Sequence, residues 1–178
     1  MSIIDSFDIE KKALINPEDV YPKSEIKLDV CIINFSHKIM DALIEDNLLE
    51  LIDNHTIKSI SCHYPVYVYK HTTVGIVKAT VGAPMTAGLI EEIGYVFSCS
   101  KFVLFGSCGS LDKTISPNKI IVPTHAYRDE GMSYHYAKAS DYIDINNYAT
   151  VSGILDKLKI DYVLGKTWTT DALSLIHI

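Results

Sequence analysis

The sequence lacks several features that would assign it to common protein classes. Its four cysteines form no CxxC pair, so a structural zinc site is not expected. No apolar run approaches the roughly 20 residues that a membrane-spanning helix needs. No basic stretch offers a surface for nucleic acid, and the net charge is −6. The first residues carry acids and no basic region, which is unlike a secretory signal peptide. We therefore expect a cytoplasmic protein without a metal and without a nucleic-acid or membrane partner.

The composition that remains is that of an ordinary globular protein. Apolar residues make up 48% of the 178 residues and charged residues 21%, which predicts one domain with a real core. We place this single domain at residues 1–172. Cys31 and Cys108 lie in apolar strand contexts, which fits reduced and buried thiols. The last six residues, 173–178, resemble the translation of a sequencing-library adaptor, so we expect them to be a non-native tail.

A short apolar run that ends in glycines is the most informative stretch of the chain. Residues 101–105, KFVLF, predict a buried strand, and the GSCG that follows allows a sharp turn without Cβ atoms near a ligand. Ser107 adds a hydroxyl and backbone N–H groups at the carboxyl end of the strand, where open α/β sheets bind ligands. Such donors suit an oxyanion like phosphate. The same residues also fit a tight strand exit with a buried serine.

Strand and helix patterns alternate before this stretch and predict an α/β fold. Residues 28–35 predict a buried strand, and apolar residues at helical spacing follow the N-cap candidate Ser36 through Asn54. Residues 64–70 and 74–80 then predict a β-hairpin.

A second helix is predicted to begin at Pro84, with an apolar stripe formed by Met85, Leu89, Ile90, Ile93, Val96 and Phe97. It joins the strand at 74–80 to the strand at 101–105, which is the pattern of a right-handed parallel crossover. The corners at Gly82 and at residues 106–109 therefore fall at the same end of one sheet. That convergence favours a ligand site there.

The second half of the chain predicts shorter elements. Residues 119–123 predict a strand ended by Pro123, residues 146–159 an amphipathic helix, and residues 162–164 a strand that leaves at a polar turn over 165–171. Residues 124–136 are rich in polar and aromatic side chains. They fit either a wet surface loop with an incidental Arg–Glu pair or a loop over a pocket, with aromatic faces for a planar ligand.

Four motifs occur in one order: VGAP at 81–84, FGSCG at 105–109, VPTHAYRDEG at 122–131 and GKTWTTD at 165–171. Together they resemble the nucleoside phosphorylase-I family, especially its uridine phosphorylase and hexameric purine nucleoside phosphorylase branch. The resemblance implies a three-layer α/β/α fold with a central mixed, largely parallel sheet, incomplete at the C-terminus. It also implies an enzyme that cleaves a nucleoside with inorganic phosphate, giving free base and ribose 1-phosphate. The expected ligands are nucleoside and phosphate, with no cofactor, in a dimer-based homo-oligomer.

The resemblance also implies roles for individual residues. Phosphate is expected at Gly106, Ser107, Cys108 and Gly109. The ribose and base are expected at a second set of residues, which comprises Gly82, Arg128, Tyr134, His135, Thr170 and Asp171. The family's base-pocket aromatic residue, its ribose-gripping Met-Glu pair and its acidic residue near the base come later than position 171. The catalytic residues are therefore expected beyond the C-terminal end of this sequence.

Two departures from the family concern phosphate. Leu104 stands where the family carries an arginine, and the loop at residues 34–38 has neither its usual glycine nor its arginine. His37, Lys38 or Arg128 are the candidate replacements. Because loss of guanidinium contacts weakens phosphate capture, Leu104 favours an alternative enzyme, a nucleosidase that uses water. The missing Met-Glu segment favours a second alternative, an inactive nucleoside-binding or truncated product.

Overall fold

A computed structural model of the chain describes residues 12–52, 56–59, 62–115, 119–172 and 174. The chain divides into two compact units, one that ends at Cys108 and one that continues from Gly109. The predicted tail at 173–178 lies outside the described residues except for Ser174. Among the described residues, no helix is both long enough and apolar enough to cross a membrane.

The first unit is built on a mixed five-stranded sheet. The strands of this unit, in chain order, are β1 (Val30–Asn34), β2 (Leu49–Leu51), β3 (Ile57–Lys58), β4 (His63–Tyr64), β5 (Val66–Tyr69), β6 (Val74–Lys78) and β7 (Phe102–Phe105). Their order across the sheet is β2-β5-β6-β1-β7, while β3 and β4 form a separate antiparallel pair. Strand β1 is parallel to both β6 and β7, whereas β5 is antiparallel to β2 and β6. The predicted α/β fold with a central mixed sheet and the hairpin of β5 and β6 are confirmed.

Three helices accompany this sheet: α1 (Pro17–Val20), α2 (His37–Glu45) and α3 (Ala83–Val96). Helix α3 and its C-cap Phe97 bury most of the predicted stripe, since Leu89, Ile93 and Phe97 are at most 2% exposed, whereas Met85 and Ile90 are only partly buried. They pack in the core with β1 residues such as Ile33, and each such buried side chain stabilises the fold by about 1.5–3 kcal/mol. Helix α3 begins at Ala83, one residue before the predicted start, so Pro84 is its second residue.

Helix α2 is shorter than predicted. Ser36 occupies the N-cap position as expected, but the helix ends at Glu45 and not at Asn54. Asn47 adopts a left-handed conformation with φ 56°, which stops the helix. Leu49–Leu51 then pair antiparallel with residues 67–69. The apolar residues of the predicted helix that follow Glu45 therefore belong partly to a strand, and the predicted end at residues 53–54 lies outside the described residues.

The second unit contains a three-stranded sheet. Its elements are β8 (Ile120–Asp129), a 3₁₀ turn (Met132–His135), β9 (Tyr142–Asp144), α4 (Tyr148–Leu158) and β10 (Tyr162–Thr170). Strand β8 is central, parallel to β10 and antiparallel to β9. Helix α4 confirms the predicted amphipathic helix within two residues.

Both long strands of this sheet pass through positions that were predicted as ends. Pro123 does not end β8, which continues to Asp129, and β10 continues through the predicted turn to Thr170. Pro123 lies opposite Gly165, where the register shifts before Lys166, so the ladder is irregular at the position where proline offers no N–H. The loop and turn predictions were therefore wrong for residues 124–129 and 165–170.

Candidate functional site

Three parallel strands end at one edge of the five-stranded sheet. Strand β1 ends at Asn34, β6 at Lys78 and β7 at Phe105, and β1 lies between the other two. We call the segments that follow them, residues 35–36, 79–82 and 106–108, the carboxyl edge. The predicted convergence of the Gly82 and Gly106 corners is confirmed, because β6 and β7 run parallel to the same strand.

Gly82 forms the corner between β6 and α3. Its φ of 135° is a conformation that residues with a Cβ rarely adopt, so glycine is required by the backbone. Its carbonyl accepts a hydrogen bond of 3.0 Å from the Thr86 N–H, which fixes the corner to the first turn of the 14-residue helix. The positive end of the α3 dipole therefore lies beside Gly82, where it favours an anion.

The second corner follows β7. At Gly106 a Cβ would lie 3.1 Å from Cδ2 of Phe35, so glycine permits the close approach of that ring. The next residues, Ser107 and Cys108, are exposed. Ser107 is thus not the buried serine of the alternative interpretation, and its hydroxyl is accessible to a ligand.

Strand β7 lies at the edge of the sheet, and its side chains are more exposed than the sequence predicted. Val103, Leu104 and Phe105 are each about half exposed, with exposed fractions of 48%, 54% and 48%. The prediction of a buried strand was wrong, because within the described part of the chain β7 pairs on one side alone, with β1. Leu104 offers no charge to a phosphate, while His37 and Lys38 are exposed in the first turn of α2, as a replacement for the arginine requires.

Arg128 is the sole arginine of the sequence and lies one residue before the end of β8. Its side chain is buried, with an exposed fraction of 5%. Nε donates to Ser133 Oγ at 2.8 Å, Nη1 to the Lys138 carbonyl at 2.7 Å and Nη2 to the Ala137 carbonyl at 3.2 Å. The guanidinium carbon also lies 4.2 Å from the ring centroid of Tyr134. The guanidinium therefore holds residues 128–140, which we call the Arg128 loop.

Two carboxylates bind backbone N–H groups near the start of the Arg128 loop. Glu130 accepts hydrogen bonds from the backbone N–H groups of Met132 at 2.7 Å and Ser133 at 3.0 Å. Asp171 Oδ2 accepts from the Gly131 N–H at 3.3 Å. Both carboxylates therefore fix the entry of the loop into its 3₁₀ turn.

The parallel pairing of β8 and β10 places five predicted residues at one end of the second sheet. Thr170 lies opposite Asp129, and Asp171 follows directly. Arg128, Tyr134 and the exposed His135 belong to the adjoining Arg128 loop. The predicted ribose and base residues thus divide, with Gly82 in the first unit and the other five in the second.

Two residues that hold strand ends, Asn34 in the first unit and Glu130 in the second, were not predicted from the sequence. Asn34 is fully buried at the end of β1, where its side chain bonds twice to the backbone of Ser36. Its signal was a single amide at the end of a buried apolar run. The sequence suggests Glu130 only as a partner for Arg128, whereas its carboxylate caps the N–H groups two and three residues later.

The four cysteines are free thiols. Cys31 is buried as predicted, and burial raises the pKa of its thiol to about 12. Cys108 is exposed, contrary to the prediction, because it lies beyond the end of the edge strand β7. Among the described residues, no group of three or more His, Cys, Asp or Glu side chains is placed to hold a metal ion.

Comparison with known proteins adds an independent test of the fold. Residues 29–174 match the model of the phosphorylase superfamily. A uridine phosphorylase of Thermococcus kodakarensis is 26% identical over 110 residues, which are 60% of this chain and 39% of that protein. This chain therefore spans well under half the length of that curated relative.

Solved structures show the same fold. Uridine phosphorylase from Vibrio fischeri aligns with a TM-score of 0.64 at 22% identity, covering 88% of this chain and 62% of that one. The 5′-methylthioadenosine/S-adenosylhomocysteine nucleosidase of Helicobacter pylori aligns with a TM-score of 0.63 at 15% identity, covering 83% and 66%. With a family match over 146 residues (29 to 174) and the four motifs in order, the chain belongs to the phosphorylase superfamily.

Proposed function

We propose that the protein cleaves the N-glycosidic bond of a nucleoside with inorganic phosphate, releasing free base and ribose 1-phosphate. The observation that carries this proposal is the carboxyl edge, where three parallel strands end beside a glycine with a positive φ and an exposed serine. The family and the matched uridine phosphorylase support the reaction class.

The chemistry demands an anionic nucleophile close to a sugar that develops positive charge. The Ser107 hydroxyl and the backbone N–H groups of Cys108 and Gly109 are the proposed phosphate donors, with Gly106 allowing the turn. Gly82 and the N-terminus of α3 add close backbone approach and a favourable dipole. At the Arg128 loop, Tyr134 and His135, with the neighbouring Thr170 and Asp171, are the proposed ribose and base contacts.

Substitution of Ser107 tests the phosphate role. Ser107→Ala removes the hydroxyl without adding bulk, so we expect the KM for phosphate to rise about tenfold while the KM for nucleoside changes little. Ser110→Ala is the matched control, because the Ser110 hydroxyl bonds locally to Asp112. Equal phosphate KM values in all three proteins would contradict the assignment.

Hydrolysis is the second candidate, and one observation favours it. All three side-chain nitrogens of the sole arginine already donate hydrogen bonds within the Arg128 loop, and Leu104 is uncharged. With no free guanidinium, water could replace phosphate as nucleophile. Reaction in ¹⁸O-labelled water distinguishes the two, since hydrolysis places the label on ribose and phosphorolysis does not.

We also propose a dimer-based homo-oligomer in a reducing, cytoplasmic compartment, with phosphate as co-substrate and no cofactor. The free cysteines support the reducing compartment. Light scattering coupled to size exclusion tests the oligomer, and a mass equal to one chain would contradict it.

A further inference from the structure

We propose that Asn34 is the positioning residue of the carboxyl edge, setting the relative placement of the three strand ends at which phosphate is proposed to bind. The inference rests on the proposed function, because it assigns a role at the same site. Asn34 does not touch the proposed ligand position with its side chain. It acts through the backbone of its neighbours.

The Asn34 side chain clamps the turn after β1. Nδ2 donates to the Ser36 carbonyl at 2.7 Å, and Oδ1 accepts from the Ser36 N–H at 3.1 Å. This two-residue reach is that of an Asx turn, in which an amide replaces part of the backbone hydrogen bonding. The loop at residues 34–38 contains no glycine, so the amide supplies a fixed turn where backbone freedom is absent.

The backbone on either side of this clamp joins the other two strands. The Asn34 carbonyl accepts from the Ala79 N–H at 2.8 Å, which holds the segment leading to Gly82. The Phe35 N–H donates to the Phe105 carbonyl at 3.1 Å, directly before Gly106. Asn34 and Phe35 therefore bond to the segment that leads to Gly82 and to the residue directly before Gly106.

Burial makes the clamp rigid. Asn34 is 0% exposed, so its amide loses hydrogen bonds to water that only the protein can replace. The ring of Phe35 lies against Gly106, where a Cβ would meet it at 3.1 Å. A change in the turn at residues 34–36 would move this ring and, with it, the start of the Ser107 corner.

Cys108 provides a readout of phosphate binding that does not depend on catalysis. It is an exposed free thiol next to Ser107, so bound phosphate should slow its alkylation by iodoacetamide. Mass spectrometry separates its adduct from those of the other cysteines. The phosphate concentration that halves the alkylation rate is the measured quantity.

Two substitutions of Asn34 separate the clamp from charge. Asn34→Leu removes both side-chain hydrogen bonds and adds no charge, whereas Asn34→Asp keeps the shape and loses the donor. We expect the half-protecting phosphate concentration to rise about tenfold or more in both variants. Tyr21→Phe is the matched control, since it removes a hydroxyl bonded to Lys58 and Glu92 in the same unit. Tyr21→Phe should leave the half-protecting phosphate concentration within about twofold of wild type, even when its loss of melting temperature is comparable to that of the Asn34 variants.

The outcomes separate the two proposals. A wild-type half-protecting concentration in Asn34→Leu overturns the positioning role and leaves the phosphate site standing. A weakening in Asn34→Asp alone also overturns it, because added charge then explains the effect. Alkylation of wild-type Cys108 that ignores phosphate overturns the proposed site and the inference together. Hydrogen exchange of the wild-type Ser36 amide needs no variant, and exchange as fast as in an unfolded peptide would also overturn the clamp.

Discussion

At the scale of single residues, buried polar side chains hold the strand ends of both units. Asn34 and Arg128 are almost fully buried, and each bonds to backbone groups of a following turn. The sequence marked Arg128 as a pocket residue, but its partners at residues 137–138 depend on the path of a loop that no local pattern encodes. In both units, a buried polar side chain near a strand end therefore holds the turn that follows it.

Substitution of Arg128 tests its structural role. Arg128→Lys keeps the charge but loses the planar fork that serves Ser133, Ala137 and Lys138, so we expect a loss of about 2 kcal/mol in the free energy of unfolding. Urea unfolding followed by the fluorescence of Trp168, the sole tryptophan, reports on this unit. Lys119→Gln, which removes an exposed 3.4 Å pair with Asp161, should cost under about 1 kcal/mol. Equal losses for both variants would contradict the role of Arg128.

The carboxyl of Glu92 makes stability depend on pH. Burial raises its pKa above the ordinary 4.5, and among the described residues its Oε2 has no hydrogen-bond partner. The folded state therefore binds this proton more tightly than the unfolded state, so this contribution to stability is lost as pH rises through the raised pKa. Relative to wild type, Glu92→Gln should gain stability as the pH rises from below the ordinary pKa of 4.5 toward neutrality. Melting temperatures across that range test this, with Glu45→Gln as an exposed control; a constant difference would contradict it.

Among helices and strands, apolar periodicity predicted the elements that pack one face against the core. It did not predict where other elements end. The stripe of α3 was predictable, because Leu89 and Ile93 repeat at the spacing that buries them. The end of α2 was not, since the apolar residues after it pair with a strand nearly twenty positions later. Pro123 indicated a strand end, but the irregular register opposite Gly165 accommodates it.

Gly82, at the N-cap of α3, and Gly88, within the helix, should respond in opposite ways to substitution by alanine. Gly82→Ala forces a Cβ into φ 135° and should destabilise the first unit by about 1–2 kcal/mol. Gly88 lies within α3, and apart from the nearby backbone of the helix no described atom lies within 4 Å of an added Cβ, so Gly88→Ala should stabilise by about 0.5–1 kcal/mol. Thermal melts of the two variants give the comparison. Shifts of the same sign would contradict the assigned strain at Gly82.

At the scale of the whole molecule, parallel topology carried the functional prediction. Two short glycine motifs that are weak alone became informative because β6 and β7 both run parallel to β1 and end at one edge. The ordered motifs likewise predicted the superfamily to which the chain belongs. The nucleophile was not predictable, because the choice between phosphate and water depends on which cations reach the site.

Base release from a panel of nucleosides by the native gene product, measured with and without inorganic phosphate, tests the proposed phosphorolysis directly. We expect release that requires phosphate and yields ribose 1-phosphate in equal amount to the free base. Release at the same rate without phosphate, giving free ribose, would contradict phosphorolysis and support the nucleosidase. No release from any nucleoside would contradict the proposed enzymatic function itself.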